Sequence, residues 1–195
     1  MPNTPFDQFA YYLVVDLEAT CCDQKQIPRK QMEIIEIGAV MVASIHLAVV
    51  DEFQMFVKPV RHPILTEFCT QLTTITQAEV NQAPGFKEAI AAFSDWLTGY
   101  ENCLFCSWGD FDRNQFKQDC KFHAVPFPVQ NHFNLKKAFL RTQGLKQRRG
   151  MAQALELAGI PLVGTHHRGI DDARNIAKLL PHGLGRKRLQ RSEMG

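Results

Sequence analysis

Long apolar runs are absent from the 195-residue sequence, and none approaches the about 18 residues that a membrane-spanning helix requires. The N-terminal residues also lack the charged segment and following apolar segment of a secretory signal. We therefore expect no contact with a membrane and a cytoplasmic location. Charge of one sign does not dominate either, since 22 basic residues face 20 acidic ones. A net charge of +2 does not by itself indicate a nucleic-acid-binding protein.

Internal repeats and low-complexity linkers are also missing, which argues against several domains. With 45% hydrophobic and 22% charged residues, the composition is that of an ordinary globular protein, and the length suits one α/β domain with a sizeable core. We place this domain over residues 1–182 and interpret residues 183–195 as a basic C-terminal tail. A second basic cluster lies between Arg141 and Gly150. Either basic segment could contact phosphate or form a solvated surface.

Three cysteines and one histidine have a spacing typical of zinc sites, Cys103-x2-Cys106 followed by Cys120-x2-His123. The first pair falls in a predicted strand and the second in a predicted helix, so the four side chains are not expected to converge. Reduced thiols in the core of a cytosolic protein are the better interpretation.

Two carboxylates follow the first strand-like segment of the chain. Tyr11–Val15 is apolar and rich in residues that favour β-structure. It leads into Asp16 and Glu18, which point to the same side of an extended chain because they are two residues apart. Such a pair repels itself unless a cation lies between the two groups, and Mg²⁺ and Mn²⁺ prefer oxygen ligands of this kind. The alternative is a strand end with two solvated acids.

Hydrophobic periodicity predicts the remaining elements. Strands over 33–42 and 49–58 should form an antiparallel meander with the first strand. Thr76 and Glu79 have capping-box spacing and predict the start of a short helix. The other predicted elements are a short amphipathic segment over 65–72, a helix over 86–97, a strand over 103–108, a helix over 111–123, a strand or helix start over 131–140, and helices over 151–158 and 169–180.

Two later segments bring further candidate ligands. Asp110 and Asp112 follow the predicted fourth strand at the start of a helix, where aspartate is also a common N-cap, so at least one of them has a structural explanation. Two histidines and two aspartates then occur within seven residues before and inside the last helix: His166, His167, Asp171 and Asp172. A titratable base next to potential metal ligands is difficult to explain as structure alone.

Three motifs, in this order, resemble those of the DEDDh 3′–5′ exonucleases: Asp-x-Glu after the first strand, Phe-Asp-x3-Phe after the fourth, and His-x4-Asp at the last helix. The fuller strings are similar to the branch that contains the enhanced-RNAi and histone-mRNA exonucleases and the bacterial KapD-like proteins; they are Val15–Cys21, Ile34–Ala39, Phe68–Gln77 and His167–Ile176. The resemblance implies a ribonuclease H-like fold, with a central five-stranded mixed sheet flanked by helices.

The resemblance also implies roles for individual residues. It makes His167 the general base that takes a proton from the attacking water, and it implies two divalent metal ions, Mg²⁺ or Mn²⁺, held by Asp16, Glu18, Asp112 and Asp172. The acid that directly follows an aromatic residue in the second motif is Asp112 rather than Asp110. In the third motif two pairs have the same spacing, His166 with Asp171 and His167 with Asp172. The string His-Arg-x2-Asp-Asp-x2-Asn favours the second pair.

The expected partner is nucleic acid with a single-stranded 3′ end, with RNA favoured over DNA and nucleoside 5′-monophosphates as products. The resemblance implies that the Leu17–Thr20 backbone and the 72–75 segment lie beside the terminal nucleotide, which makes Leu17, Ala19, Thr20, Leu72 and Ile75 substrate contacts. Arg168, a cation beside the site, is a candidate for contact with the phosphate backbone. Without the resemblance, Leu72 and Ile75 would be assigned to the core. Glu36 either lies near the site, is solvated, or supports the site from behind the ligands. Two alternatives stay open, a DNA or dual-specificity exonuclease and a non-catalytic nucleic-acid-binding subunit on the same scaffold.

Overall fold

The computed structural model describes residues 6, 8–24 and 26–190 of the chain. Its central sheet has five strands in the order β3-β2-β1-β4-β5. The first three strands form an antiparallel meander, and β4 and β5 run parallel to β1. The strands are β1 Tyr11–Ala19, β2 Ile34–Ala43, β3 Val49–Phe56, β4 Cys103–Ser107 and β5 His132–Asn134. The five-stranded mixed sheet that we predicted is confirmed.

Helices cover both faces of this sheet. They are α1 Glu67–Thr73, α2 Gln77–Gln82, α3 Phe86–Leu97, α4 Phe111–Phe122, α5 Leu135–Gln143, α6 Met151–Leu157, α7 Gly169–Lys178 and α8 Leu180–Gly183. The longer predicted helices end within two residues of the observed ends. The predicted capping box at α2 is present, because Thr76 accepts from the backbone of Glu79 and the Glu79 carboxylate accepts from the backbone of Thr76. Within the described residues, no helix is long and apolar enough to cross a membrane.

The central strand β1 is buried on both faces, which explains its nearly continuous apolar sequence. Tyr12 and Val14 pack into one core, with side chains of α5, α6 and α7. Leu13 and Val15 pack into a second core on the opposite face, with side chains of α3 and α4. Because helices press on the strand from both sides, the carboxylates at its end are fixed relative to α4 and α7.

A close contact between two glycines sets the position of α7. A Cβ atom added to Gly38 on β2 would lie 2.0 Å from the carbonyl carbon of Gly169, the first residue of α7. Gly38 is the register partner of Asp16 on β1. The absence of a side chain at Gly38 therefore allows the start of α7 to lie directly against the strands beside Asp16.

The packed domain extends past the boundary that we expected at residue 182. Leu184 and Leu189 are buried in the same core as α7. The backbone N–H of Leu189 also donates a hydrogen bond to the side-chain oxygen of Gln143, at 2.9 Å. The first part of the expected basic tail is thus part of the fold, and residues 191–195 lie outside the described residues.

Two of the cysteines with zinc-like spacing, Cys106 and Cys120, lie on opposite faces of the sheet. Cys106 on β4 packs into the core that contains Tyr12, whereas Cys120 on α4 packs into the core on the other face. Both thiols are free, and burial raises their pKa values, that of Cys120 to about 11. These side chains act as small apolar residues of the interior.

Candidate metal and catalytic site

Three carboxylates from distant parts of the chain meet at the end of β1. Asp16 and Glu18 lie on this strand, and Asp172 lies in the first turn of α7. Their carboxylate oxygens lie within 4.8 Å of one another. Glu18 and Asp172 are buried, with 8% and 4% of their surface exposed, and Asp16 is partly buried. The alternative of a strand end with two solvated acids is therefore wrong.

Asp112 adds a fourth carboxylate from α4. It is buried, and its Oδ1 accepts a hydrogen bond from the backbone N–H of Leu17 at 3.1 Å. Leu17 stands between Asp16 and Glu18 in the chain, so this bond holds the Asp112 carboxylate against the segment that carries the first two acids.

Asp110 lies outside this group of carboxylates. Its Oδ2 is 3.1 Å from Nζ of Lys137, and its Oδ1 is 3.3 Å from a guanidinium nitrogen of Arg113. Surrounding cations and hydrogen-bond donors, Asn134 and Lys137 first, lower the pKa of Asp110. The structure thus brings Asp112, and not Asp110, to the other acids.

Burial and mutual repulsion raise the pKa values of all four carboxylates. Desolvation, followed by the charge of Asp112, raises the pKa of Asp16 well above its usual range. Desolvation and the charge of Asp172 raise the pKa of Glu18 to about 9. Desolvation also raises the pKa of Asp172, and it raises that of Asp112 to about 6. A set of crowded carboxylate oxygens is the donor set that hard divalent ions such as Mg²⁺ and Mn²⁺ prefer, so these residues fit the metal ions that the motifs implied.

Two histidines approach the same carboxylates from the loop before α7. The rings of His166 and His167 stack with their centroids 3.9 Å apart. His166 Nδ1 is 2.9 Å from Oδ2 of Asp172, and the backbone N–H of His167 donates to the same oxygen at 3.0 Å. Asp171 instead accepts from the backbone N–H of Thr165 at 2.8 Å, outside the cluster. Asp172 is therefore the acid of this segment that joins the site.

The backbone of this loop is held in an uncommon conformation. His167 has a φ of 65°, in the left-handed region that residues other than glycine rarely adopt. Desolvation, and then the neighbouring charge of His166, lowers the pKa of His167. A lowered pKa keeps this imidazole neutral at pH 7, as a proton acceptor requires. Both rings can reach Asp172, so the choice of His167 as the base stays a prediction.

Glu36 is a fifth carboxylate beside the site, and of the alternatives left open for it the solvated one is wrong. The residue is fully buried on β2. Its Oε2 accepts from the backbone N–H of Gly169 at 3.0 Å and from Nε of Arg168 at 3.2 Å, while Oε1 accepts from Gln54 at 2.7 Å. Glu36 therefore fastens β2 to the end of the histidine loop. An acid within the apolar run Ile34–Ala43 was the sequence signal for this role.

The expected substrate contacts differ in how much side-chain surface they offer. Leu17, Ala19 and Thr20 are at most 5% exposed. Ile75 is fully buried in a small core beneath α1, whereas Leu72 is only partly buried. Of these two residues, only Leu72 has side-chain surface that a ligand could contact.

Arg168 already has two partners. It pairs with Glu36, and its guanidinium carbon lies 5.1 Å from the centroid of the Phe56 ring. Its side chain keeps 21% of its surface exposed. A phosphate would therefore share Arg168 with Glu36 rather than bind an unpaired cation.

Comparison with protein families finds a match to the RNase T exonuclease model over residues 13–180. Human ERI1 exoribonuclease 3 is 32% identical over 191 residues, which cover 92% of this chain and 55% of that protein. The probable 3′–5′ exonuclease KapD of Bacillus subtilis is 34% identical over 169 residues, covering 86% of this chain and 81% of that protein. The chain thus spans about half the length of the ERI1 relative, at 55%.

Two solved structures have the same fold. The nuclease domain of 3′hExo, described as a DEDDh family member bound to rAMP, matches with a TM-score of 0.78 and 27% identity, covering 91% of both chains. The 3′-exonuclease solved in recognition of the 3′ end of the histone mRNA stem-loop matches with a TM-score of 0.80 and 25% identity, covering 91% of this chain and 63% of that one. These matches confirm the ribonuclease H-like fold.

Proposed function

Because the chain belongs to the RNase T exonuclease family, we propose that it is a metal-dependent enzyme that shortens RNA from its 3′ end and releases nucleoside 5′-monophosphates. The observation that carries this proposal is the meeting of four carboxylates from β1, α4 and α7, with three of the four buried. Buried like charges are costly. A non-catalytic scaffold has no use for them, which argues against a purely binding role.

Asp16, Glu18, Asp112 and Asp172 would hold the metal ions. Two divalent ions, Mg²⁺ or Mn²⁺, would neutralise charge on the cleaved phosphate and stabilise the departing 3′ oxygen. Asp16 is the central member of this set, because its carboxylate feels the charges of all three other acids.

His167 would remove the proton from the attacking water. Its lowered pKa supports this role, since a neutral imidazole can accept a proton at neutral pH. The hydrogen bond from its backbone to Asp172 holds the base next to a metal ligand. Glu36 would position the same loop through Gly169 and Arg168.

RNA is the proposed substrate because the relatives named above are exoribonucleases or are described with a histone mRNA stem-loop and rAMP. Leu72 and the backbone from Leu17 to Thr20 would lie beside the terminal nucleotide, with Ile75 supporting Leu72 from the core. A cytoplasmic location is kept as a prediction.

Substrate choice is tested with four oligonucleotides of one sequence: all RNA, all DNA, RNA with one 3′-terminal deoxynucleotide, and DNA with one 3′-terminal ribonucleotide. We expect the all-RNA strand to be shortened fastest. If one terminal deoxynucleotide slows the first step, the 2′-hydroxyl of the leaving nucleotide is recognised. Equal rates on RNA and DNA would instead establish a dual-specificity exonuclease.

A further inference from the structure

We propose that a basic groove beside Asp112 binds the backbone of the nucleic-acid strand on the 5′ side of the cleaved bond. This inference rests on the proposed function for its polarity, because a strand whose 3′ end lies at the carboxylates must leave the site in the 5′ direction. The groove has a volume of about 430 Å³, and the residues that define it are Arg29, Trp108, Phe111, Lys136, Lys137 and Arg148.

The groove concentrates positive charge that the sequence distributes over three segments. Arg29 comes from the turn before β2, Lys136 and Lys137 from the start of α5, and Arg148 from the loop before α6. Against these four cations the groove has a single acid, Asp110, whose carboxylate pairs with Lys137 at 3.1 Å. Sugar–phosphate backbone carries one negative charge per nucleotide, so a cluster of exposed cations binds it without regard to sequence.

One residue that lines the groove is adjacent in sequence to a candidate metal ligand. Phe111 directly precedes Asp112, and the guanidinium of Arg29 lies 5.5 Å from the centroid of the Phe111 ring. The indole N–H of Trp108 donates to the backbone oxygen of Arg149 at 3.2 Å, which fastens the loop that carries Arg148 to the end of β4. A strand that leaves the carboxylates past Phe111 would therefore reach these cations after its first nucleotides.

A second cleft near the loop after β1 does not fit a polyanion. Its volume is larger, about 680 Å³, but its charged lining contains two acids, Asp23 and Glu67, and one arginine, Arg61. That arginine already pairs with Asp119 at 3.5 Å. Exposed apolar side chains, Ile64 and Phe68, complete this cleft. Because the basic groove has an excess of cations and this cleft has an excess of acids, we assign the phosphate backbone to the basic groove.

The test uses the triple variant K136Q/K137Q/R148Q, and the control K58Q/K87Q/K121Q removes the same charge from exposed lysines that line neither cleft. Binding of a 5′-labelled 12-nucleotide single-stranded RNA is measured by fluorescence anisotropy in EDTA at several salt concentrations, so no turnover is needed. We expect the slope of log affinity against log salt to become shallower by about 2 for the groove variant, since each lost phosphate contact removes about 0.7. The control should keep the wild-type slope.

A kinetic experiment distinguishes RNA binding in the groove from the cleavage reaction. With Mg²⁺ present, the groove variant should show a KM at least tenfold higher than wild type on the 12-nucleotide RNA, and a much smaller change on a dinucleotide too short to reach the groove. The inference is overturned if wild type does not bind RNA, if groove and control variants lose affinity equally, or if both substrate lengths respond alike. A wild-type protein that binds RNA through the groove but never shortens it would refute the proposed function and leave the groove established.

Discussion

The carboxylate of Asp112 accepts a hydrogen bond from the backbone amide of Leu17, with 3.1 Å between Oδ1 and the nitrogen. Burial raises the pKa of Asp112, but this hydrogen bond opposes the rise and the resulting pKa is about 6. Glu18 has a pKa of about 9. Because the pKa values of all four acids are raised, the metal-free site favours protonated carboxyls, and metal binding must release protons from it.

Replacing Asp112 with asparagine should abolish turnover without unfolding the protein. The asparagine oxygen can still accept from Leu17, but the charge that holds a metal ion is lost. We expect kcat to fall by about two orders of magnitude or more, with a melting temperature at least equal to that of wild type in EDTA. Asp110→Asn is the matched control, and its effect should stay below about tenfold because Asp110 pairs with cations outside the cluster. The reverse ranking would show that the second motif has been misassigned.

His167→Ala should lower kcat by about 10²–10⁴-fold, the usual contribution of a general base. His166→Ala should be milder, because His166 contacts Asp172 with a side chain that is 40% exposed. In wild type the acidic limb of the kcat profile should lie below the usual histidine pKa of about 6.5, since the pKa of His167 is lowered. His167→Ala should remove that limb. Loss of the limb in His166→Ala alone would identify His166 as the base.

The metal-free protein should become less stable as the pH rises. The folded state raises the pKa of Glu18 to about 9, so folding favours the protonated carboxyl. Its contribution to stability is complete below the unfolded pKa of about 4.3 and is lost as the pH approaches 9. Thermal unfolding in EDTA at pH 5, 7 and 9 should show this decline, and Glu18→Gln should reduce it. Added Mg²⁺ or Mn²⁺ should stabilise the folded protein most at high pH. Greater metal-free stability at pH 9 than at pH 5 would contradict the predicted repulsion.

Gly38→Ala should displace α7 and damage the site from a distance. The added Cβ would lie 2.0 Å from the backbone carbon of Gly169, so the helix that carries Asp172 must shift. We expect a loss of about 1–3 kcal/mol in the free energy of unfolding and reduced turnover. Gly99→Ala is the control, because its nearest neighbour would be the carbonyl oxygen of Trp96 at 3.6 Å. A Gly38→Ala protein with wild-type stability would show that the two backbones are not in close contact.

Local patterns predicted most of the strands and helices, and the family resemblance predicted the five-stranded sheet and the four acids. The apolar run Tyr11–Val15 and the two-residue spacing of Asp16 and Glu18 predict a strand with both acids on one side. The sequence context of the second and third motifs then selected Asp112 and Asp172, which the fold brings to the same place.

Long-range packing explains the features that the sequence did not predict. Whether Glu36 is solvated depends on α7 covering β2, and the burial of Leu189 depends on its contact with Gln143, a residue more than forty positions away. The basic groove likewise combines three segments that show no common pattern in the sequence. Such features follow from the tertiary structure and not from local periodicity.

The most direct measurement follows a 5′-labelled single-stranded RNA with products resolved by length. Wild-type protein is incubated with Mg²⁺ or Mn²⁺, with EDTA as one control and Asp112→Asn as the other. The proposed function predicts a ladder that shortens one nucleotide at a time from the 3′ end with wild type, and none in either control. Folded wild-type protein that leaves the RNA intact, or shortening that survives both EDTA and Asp112→Asn, would contradict it.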